Sequence, residues 1–113
     1  MSLKEEILSL VDSSEAGVTY SQLMDLEGLR GDCALTNREH PNVCYWKGLS
    51  RPAAEAILEL KNEGRIRQEP TDTLAYIAQG LTLELPVFTA ELLPVASSLD
   101  QPHWMPVLLI SEN

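Results

Sequence analysis

Cys33, His40 and Cys44 lie in one polar stretch of the chain, and His103 is the second of its two histidines. Thiolate sulfur and imidazole nitrogen are ligands that zinc favours, so this group raises a metal site first. The spacing argues against it. Structural zinc sites typically bring four ligands together in close pairs, whereas this stretch offers three and the only other histidine, His103, is far away in the tail. No metal is expected, and small buried cysteines are the plainer account. A Cys/His nucleophile pair, drawn from Cys33 or Cys44 with His40 or His103, has no recognisable motif around it. The chain also lacks a Gly-rich phosphate loop, a paired-His signature and a nucleophile elbow. Neither an enzyme nor a cofactor is expected.

The elements that must carry these residues are set by caps and periodicity. Ser2 with Glu5 forms a capping-box pattern, and Leu3, Ile7, Leu10 and Val11 recur at helical spacing after it. A second box at Thr19 and Gln22, stapled by Val18 and Leu23, opens a short helix from about Tyr20 to Glu27 that stops at Gly28. Residues 29–48 are polar and without sustained periodicity, which predicts an ordered insertion pinned by Val43, Cys44, Tyr45 and Trp46. The third helix is the clearest: Ser50 caps it, Pro52 suits its first turn and Gly64 ends it. Its core face carries Ala53, Ala56, Ile57 and Leu60. Its outward face carries Arg51, Glu55, Leu58, Glu59 and Asn62. Beyond it, residues 65–68 and 74–78 read as the two strands of a hairpin. The fold class is therefore α+β, with a domain over residues 1–80 interrupted at 29–48. Residues 81–113 form a C-terminal extended or β segment packed on the domain or on a dimer partner.

At 113 residues and 44% apolar content the chain can bury one core. Its formal net charge is −9, which opposes broad attraction to nucleic acid or anionic lipid. The charge is uneven. Arg30, Arg38, Lys47, Arg51, Lys61, Arg65 and Arg67 all fall in the middle of the chain, and no Lys or Arg follows Arg67. The longest apolar stretches, near Leu81–Leu85 and Val107–Ile110, are far short of a bilayer span, so no membrane role is expected. With two cysteines and no secretory signal pattern, the sequence points to the cytoplasm.

The order of a helix, a short "GVTYSQL" helix, a helix ending "ELKNEGRI" and then a hairpin resembles the winged helix-turn-helix superfamily over about residues 2–79. The resemblance implies that the third helix reads a DNA major groove, with Arg51, Glu55 and Asn62 outward and Arg67 at the base of the wing. Three features depart from that mode. Glu55 and Glu59 would face phosphates, Leu58 between them suits a protein contact, and the wing tip carries acids without a base. The third is compounded by the insertion, which replaces the usual short turn. Arg30, Arg38, Lys47 and Arg51 could form an anion patch there; ordinary solvated loop charge is the preferred reading. Trp104 and Met105 are either an interaction surface or core, and a homodimer built by the tail, or by pairing the hairpin edge with another subunit, is the simplest use of such a tail. The sequence thus points to a non-enzymatic protein-interaction or dimerisation module with a regulatory or assembly role. The alternative is a DNA-binding regulator using the third helix and the basic residues of the insertion.

Overall fold

The computed structural model describes residues 2–112. It is a mixed α+β fold. Helix α1 (Leu3–Asp12) starts at the Ser2–Glu5 capping box, with both reciprocal hydrogen bonds formed. Strand β1 (Val18–Thr19) leads into α2 (Tyr20–Leu23), whose Thr19–Gln22 box is likewise closed in both directions. Each box satisfies two backbone N–H groups that a helix start leaves unpaired. Helix α2 ends sooner than its sequence pattern suggests, at Leu23 rather than about Glu27.

Residues 29–48 are not irregular. They form an antiparallel ribbon of β2 (Arg30–Thr36) and β3 (Val43–Leu49). The pairing shifts register three times, between Arg30 and Cys33, Cys33 and Ala34, and Leu35 and Thr36. Each shift breaks the period-two alternation by which a strand is recognised, and β2 is mostly solvent-exposed, so neither face acquires an apolar signature. Asn37 closes the turn: its side-chain carbonyl accepts from the backbone N–H groups of Glu39 (2.9 Å) and His40 (3.0 Å). At the other end, Gly31 lets the ribbon cross the start of the next helix. A Cβ there would lie 2.5 Å from Ser50 Cα and 2.9 Å from Leu49 O.

Helix α3 (Arg51–Asn62) is capped by Ser50, whose Oγ accepts from Ala53 N–H at 3.2 Å and donates to Gly28 O at 2.6 Å. Gly64, at φ +70°, turns the chain out of it and into β4 (Ile66–Pro70). Ala53, Ala54, Ala56, Ile57 and Leu60 are buried, so the core face is the one expected from the sequence, with Ala54 added.

The hairpin predicted over residues 65–68 and 74–78 is not formed. Leu74–Ile77 is a helical turn, α4, and the partner of β4 is the distant β6 (Val107–Ser111), running from Ile66 opposite Ser111 to Pro70 opposite Val107. A four-residue run such as Leu-Ala-Tyr-Ile fits a strand or a single helical turn equally well on periodicity. Asp72 decides locally, accepting from Leu74 N–H at 2.9 Å. Strand β6 also pairs with β1, giving a sheet ordered β1-β6-β4.

The intervening chain passes Leu81, Leu83 and Leu85 with one side half-buried and the other exposed, but without forming a strand. It then makes a 3-10 segment (Ala90–Ser98) and β5 (His103–Trp104), which joins β3 in parallel to give a second sheet, β2-β3-β5. The segment after Gly80 therefore contributes a strand to each sheet.

An aromatic cluster joins the sheets and helices. Trp46 of β3 stacks with Tyr20 (6.1 Å between centroids) and with Tyr76 (5.3 Å), and meets Trp104 edge-on at 6.0 Å. Burial pushes the phenol pKa values of Tyr20 and Tyr76 up, with unfavourable charge interaction from Tyr76, Tyr45 and Cys44 adding at Tyr20. Below the ordinary tyrosine value of about 10 both folded and unfolded chains keep these protons. Above it the unfolded chain loses them first. Stability is therefore expected to be insensitive to these two groups up to about pH 10 and to fall beyond it as the unfolded phenols ionise. Their tyrosinate absorbance should appear together with loss of near-ultraviolet circular dichroism. Ionisation of all three tyrosines with the fold intact would refute this.

Candidate functional site

The face that matters is the outward side of α3 and what surrounds it. Arg51 lies at its start, largely exposed, with its Nε 3.2 Å from Glu55 Oε1. Glu59 turns toward α1, where its carboxylate is 3.9 Å from Lys4 Nζ. On the opposite flank, Leu58 is 45% exposed although it is a large apolar residue on a helix of a protein with ample core. Leu58, Lys61 and Asn62 form one wall of a groove of about 890 Å³. The β2–β3 ribbon supplies the second wall, from Ala34 through the turn to His40 and including Tyr45. Leu93 and Pro94 of the 3-10 segment close the third side. The insertion and the tail thus stand beside α3 and enclose the C-terminal half of its outward face.

Inside the groove, Lys61 Nζ sits 5.4 Å from the centroid of the Tyr45 ring. The ring is fixed from its far end, where Tyr45 Oη accepts from Asn37 Nδ2 at 3.0 Å. Burial pushes the Lys61 ammonium pKa down, because the charged form has lost part of its water. A cation over an aromatic face contributes about 0.5–1 kcal/mol at a partly exposed site, which holds the side chain across the groove.

The basic residues do not converge. Arg30 pairs opposite Leu49 at the base of the ribbon, close in the chain to Arg51, while Lys47 lies opposite Ala34. Arg38 is in the turn at the far end. At about 3.3 Å per residue, the length of β3 separates the two ends by about 15 Å or more. Arg30, Arg38, Lys47 and Arg51 therefore do not gather into the one patch weighed above against ordinary solvated loop charge. Arg67 is also committed: its guanidinium binds Glu69 and, at 2.6 Å, Glu112.

Trp104 and Met105 are 2% and 5% exposed, so the surface role held open for them gives way to core. Cys44 is buried, its Sγ 3.5 Å from Trp46 O, and Cys33 is half-buried on β2. His40 lines the groove; His103 is engaged elsewhere, with Nδ1 2.8 Å from Gln101 O. Among the described residues no group of three or more His, Cys, Asp or Glu side chains is placed to hold a metal ion. No family model, curated protein or solved structure matches this chain. No helix of the described residues is long and apolar enough to cross a membrane.

Two groove residues escaped the sequence reading. The outward face read from the sequence leaves out Lys61, yet Lys61 is only one turn beyond Leu58, and a ribbon folded alongside makes that flank a wall. Tyr45 packs against the core as its sequence suggests, and lines the groove as well. The signal that identifies both is the ribbon itself, since only its turn at Asn37 brings Tyr45 back toward α3.

Proposed function

We propose that this chain is a non-enzymatic protein-interaction module built on a winged-helix-like scaffold, with a regulatory or assembly role. Two features support the scaffold. The order α1, α2, α3 is followed by β4, and β1, β6 and β4 lie side by side, so that β4 and β6 take the place of the wing strands. The stretch from Thr71 to Pro106 is then an insertion at the wing tip, with Thr71 N–H donating to Pro106 O at 3.0 Å across its neck.

The observation that carries the functional reading is the enclosure of α3. A recognition helix must present its outward face as a ridge that enters a major groove about 12 Å wide. Here Leu58, Lys61 and Asn62 instead face a concavity walled by the ribbon and by Leu93 and Pro94. The remaining outward positions are Arg51, Glu55 and Glu59, all with side chains more than half exposed; the one cation is paired with Glu55, so the face carries more acid than base toward where phosphates would lie. A concave surface with an exposed leucine suits a protein segment.

Titration with varied DNA duplexes at low salt tests this against the DNA reading. No specific or salt-dependent binding is expected. Affinity that falls steeply with added salt, with a slope flattened by Arg51→Ala and Lys47→Ala, would overturn the proposal in favour of DNA recognition.

A further inference from the structure

Deepening the protein-interaction reading, and resting on it, we infer that the groove beside α3 receives an acidic segment of a partner protein, with Lys61 and Arg38 taking carboxylates and Leu58 packing an apolar side chain between them.

Charge accounting within the chain points to this occupant. There are 17 Asp and Glu residues for 8 Lys and Arg, so a cation without a carboxylate partner has not lacked candidates. Lys4, Arg51, Arg65 and Arg67 each pair with glutamate. Among the described residues, Arg30, Arg38, Lys47 and Lys61 make no ion pair, and of these four Arg38 and Lys61 line the same groove. Lys61 is half-buried there, so its charge is partly stripped of water without an anion to compensate it. An incoming carboxylate supplies that anion at a site whose desolvation has partly occurred, and a charge-assisted hydrogen bond is stronger than a neutral one.

The other walls fit the same ligand. Leu58 and the half-buried Leu93 offer apolar contact close to the two cations. The His40 imidazole adds a further polar group at the ribbon turn, and Glu39 is the one acidic residue in the lining. A polyphosphate would find two separated cations and a carboxylate. A peptide with carboxylates flanking an apolar residue finds a partner for each.

A second groove, along α1, makes the contrast. It is lined by Lys4 and Arg65, but Lys4 Nζ is 2.7 Å from Glu63 and Arg65 is 3.9 Å from the same carboxylate. Its cations are already satisfied.

The test is an amide chemical-shift titration of the full chain with three synthetic peptides, blocked at both ends: alternating Glu and Leu, its Gln-for-Glu analogue and its Lys-for-Glu analogue. The acidic peptide is expected to move resonances of Leu58–Asn62 and Ala34–His40. Its affinity should fall roughly tenfold in Lys61→Gln and recover in Lys61→Arg. Unchanged dispersion of the remaining resonances verifies that each variant is folded. Equal binding of the Gln analogue, or an unchanged affinity in Lys61→Gln, overturns the acidic assignment while leaving a protein-binding groove. If no peptide moves these resonances, the inference fails. If a DNA duplex moves them instead, the protein-interaction reading fails with it.

Discussion

A chain cut after Gly80 is expected not to fold. The cut removes β6, the central strand of its sheet, which pairs with β1 on one side and β4 on the other. It also removes β5 from the edge of the second sheet. Phe88, Trp104, Met105, Val107 and Leu109, all at or below 5% exposure, leave the core together. Burial of each such side chain contributes about 1.5–3 kcal/mol, and the whole stability of a domain is about 5–15 kcal/mol. Loss of five exceeds what the remainder can absorb. Far-ultraviolet circular dichroism and amide dispersion of residues 1–80 should therefore be those of an unfolded or aggregating chain. A soluble fragment with a cooperative thermal transition would show that β4 finds a local partner, as the 74–78 hairpin would have provided, and would contradict the topology.

The same experiment separates what the sequence makes legible from what it does not. Caps and periodicity within a few residues of one another are local, and α1, α2 and α3 all begin at the residues whose side chains close their first turns. Strand partners are not local. Nothing within residues 65–80 says that Arg67 will lie opposite Ile110, and Val107–Ser111 reads as a strand without disclosing that it runs between two others. The ribbon was hidden for a different reason: three register shifts and an exposed β2 erase alternation from a segment that is nonetheless paired into a sheet. The groove inherits both failures, because one wall is that ribbon and another comes from the tail. Leu58 and Asn62 were identifiable in advance from the outward face of α3, and Arg38 as a basic residue of the insertion, but not that they share one groove.

Replacing Tyr76 by Phe is expected to have the largest effect of any single-atom change. Tyr76 Oη accepts from Tyr20 N–H at 3.1 Å and donates to Val107 O at 2.7 Å, so one hydroxyl joins the start of α2 to the start of β6 through α4. All three groups are buried. Without the oxygen, a backbone N–H and a backbone C=O are left in the core without that partner, and an unsatisfied buried group costs about 1–3 kcal/mol. Destabilisation of about 2–4 kcal/mol by chemical denaturation is the expected result for Tyr76→Phe. Tyr45→Phe, which loses only a half-exposed bond to Asn37, should stay within about 1 kcal/mol of the parent. If the two variants were equally stable, the Tyr76 bridge would not be holding the tail strand to the helical half.

The groove reading rests most heavily on Lys61. Its ammonium faces the Tyr45 ring, and the other charged or titratable groups lining the groove are Arg38, Glu39 and His40. Burial lowers its pKa in the free chain, and a carboxylate bound beside it must raise the pKa again, since an opposite charge favours the ionised form. The direct measurement is the pH titration of the Lys61 side-chain resonance, with and without the alternating Glu and Leu peptide. A midpoint below the ordinary lysine value of about 10.4 in the free chain, moving up when the peptide is added, is the predicted result. A midpoint that the peptide leaves unchanged would contradict the assignment of this groove to an acidic protein segment.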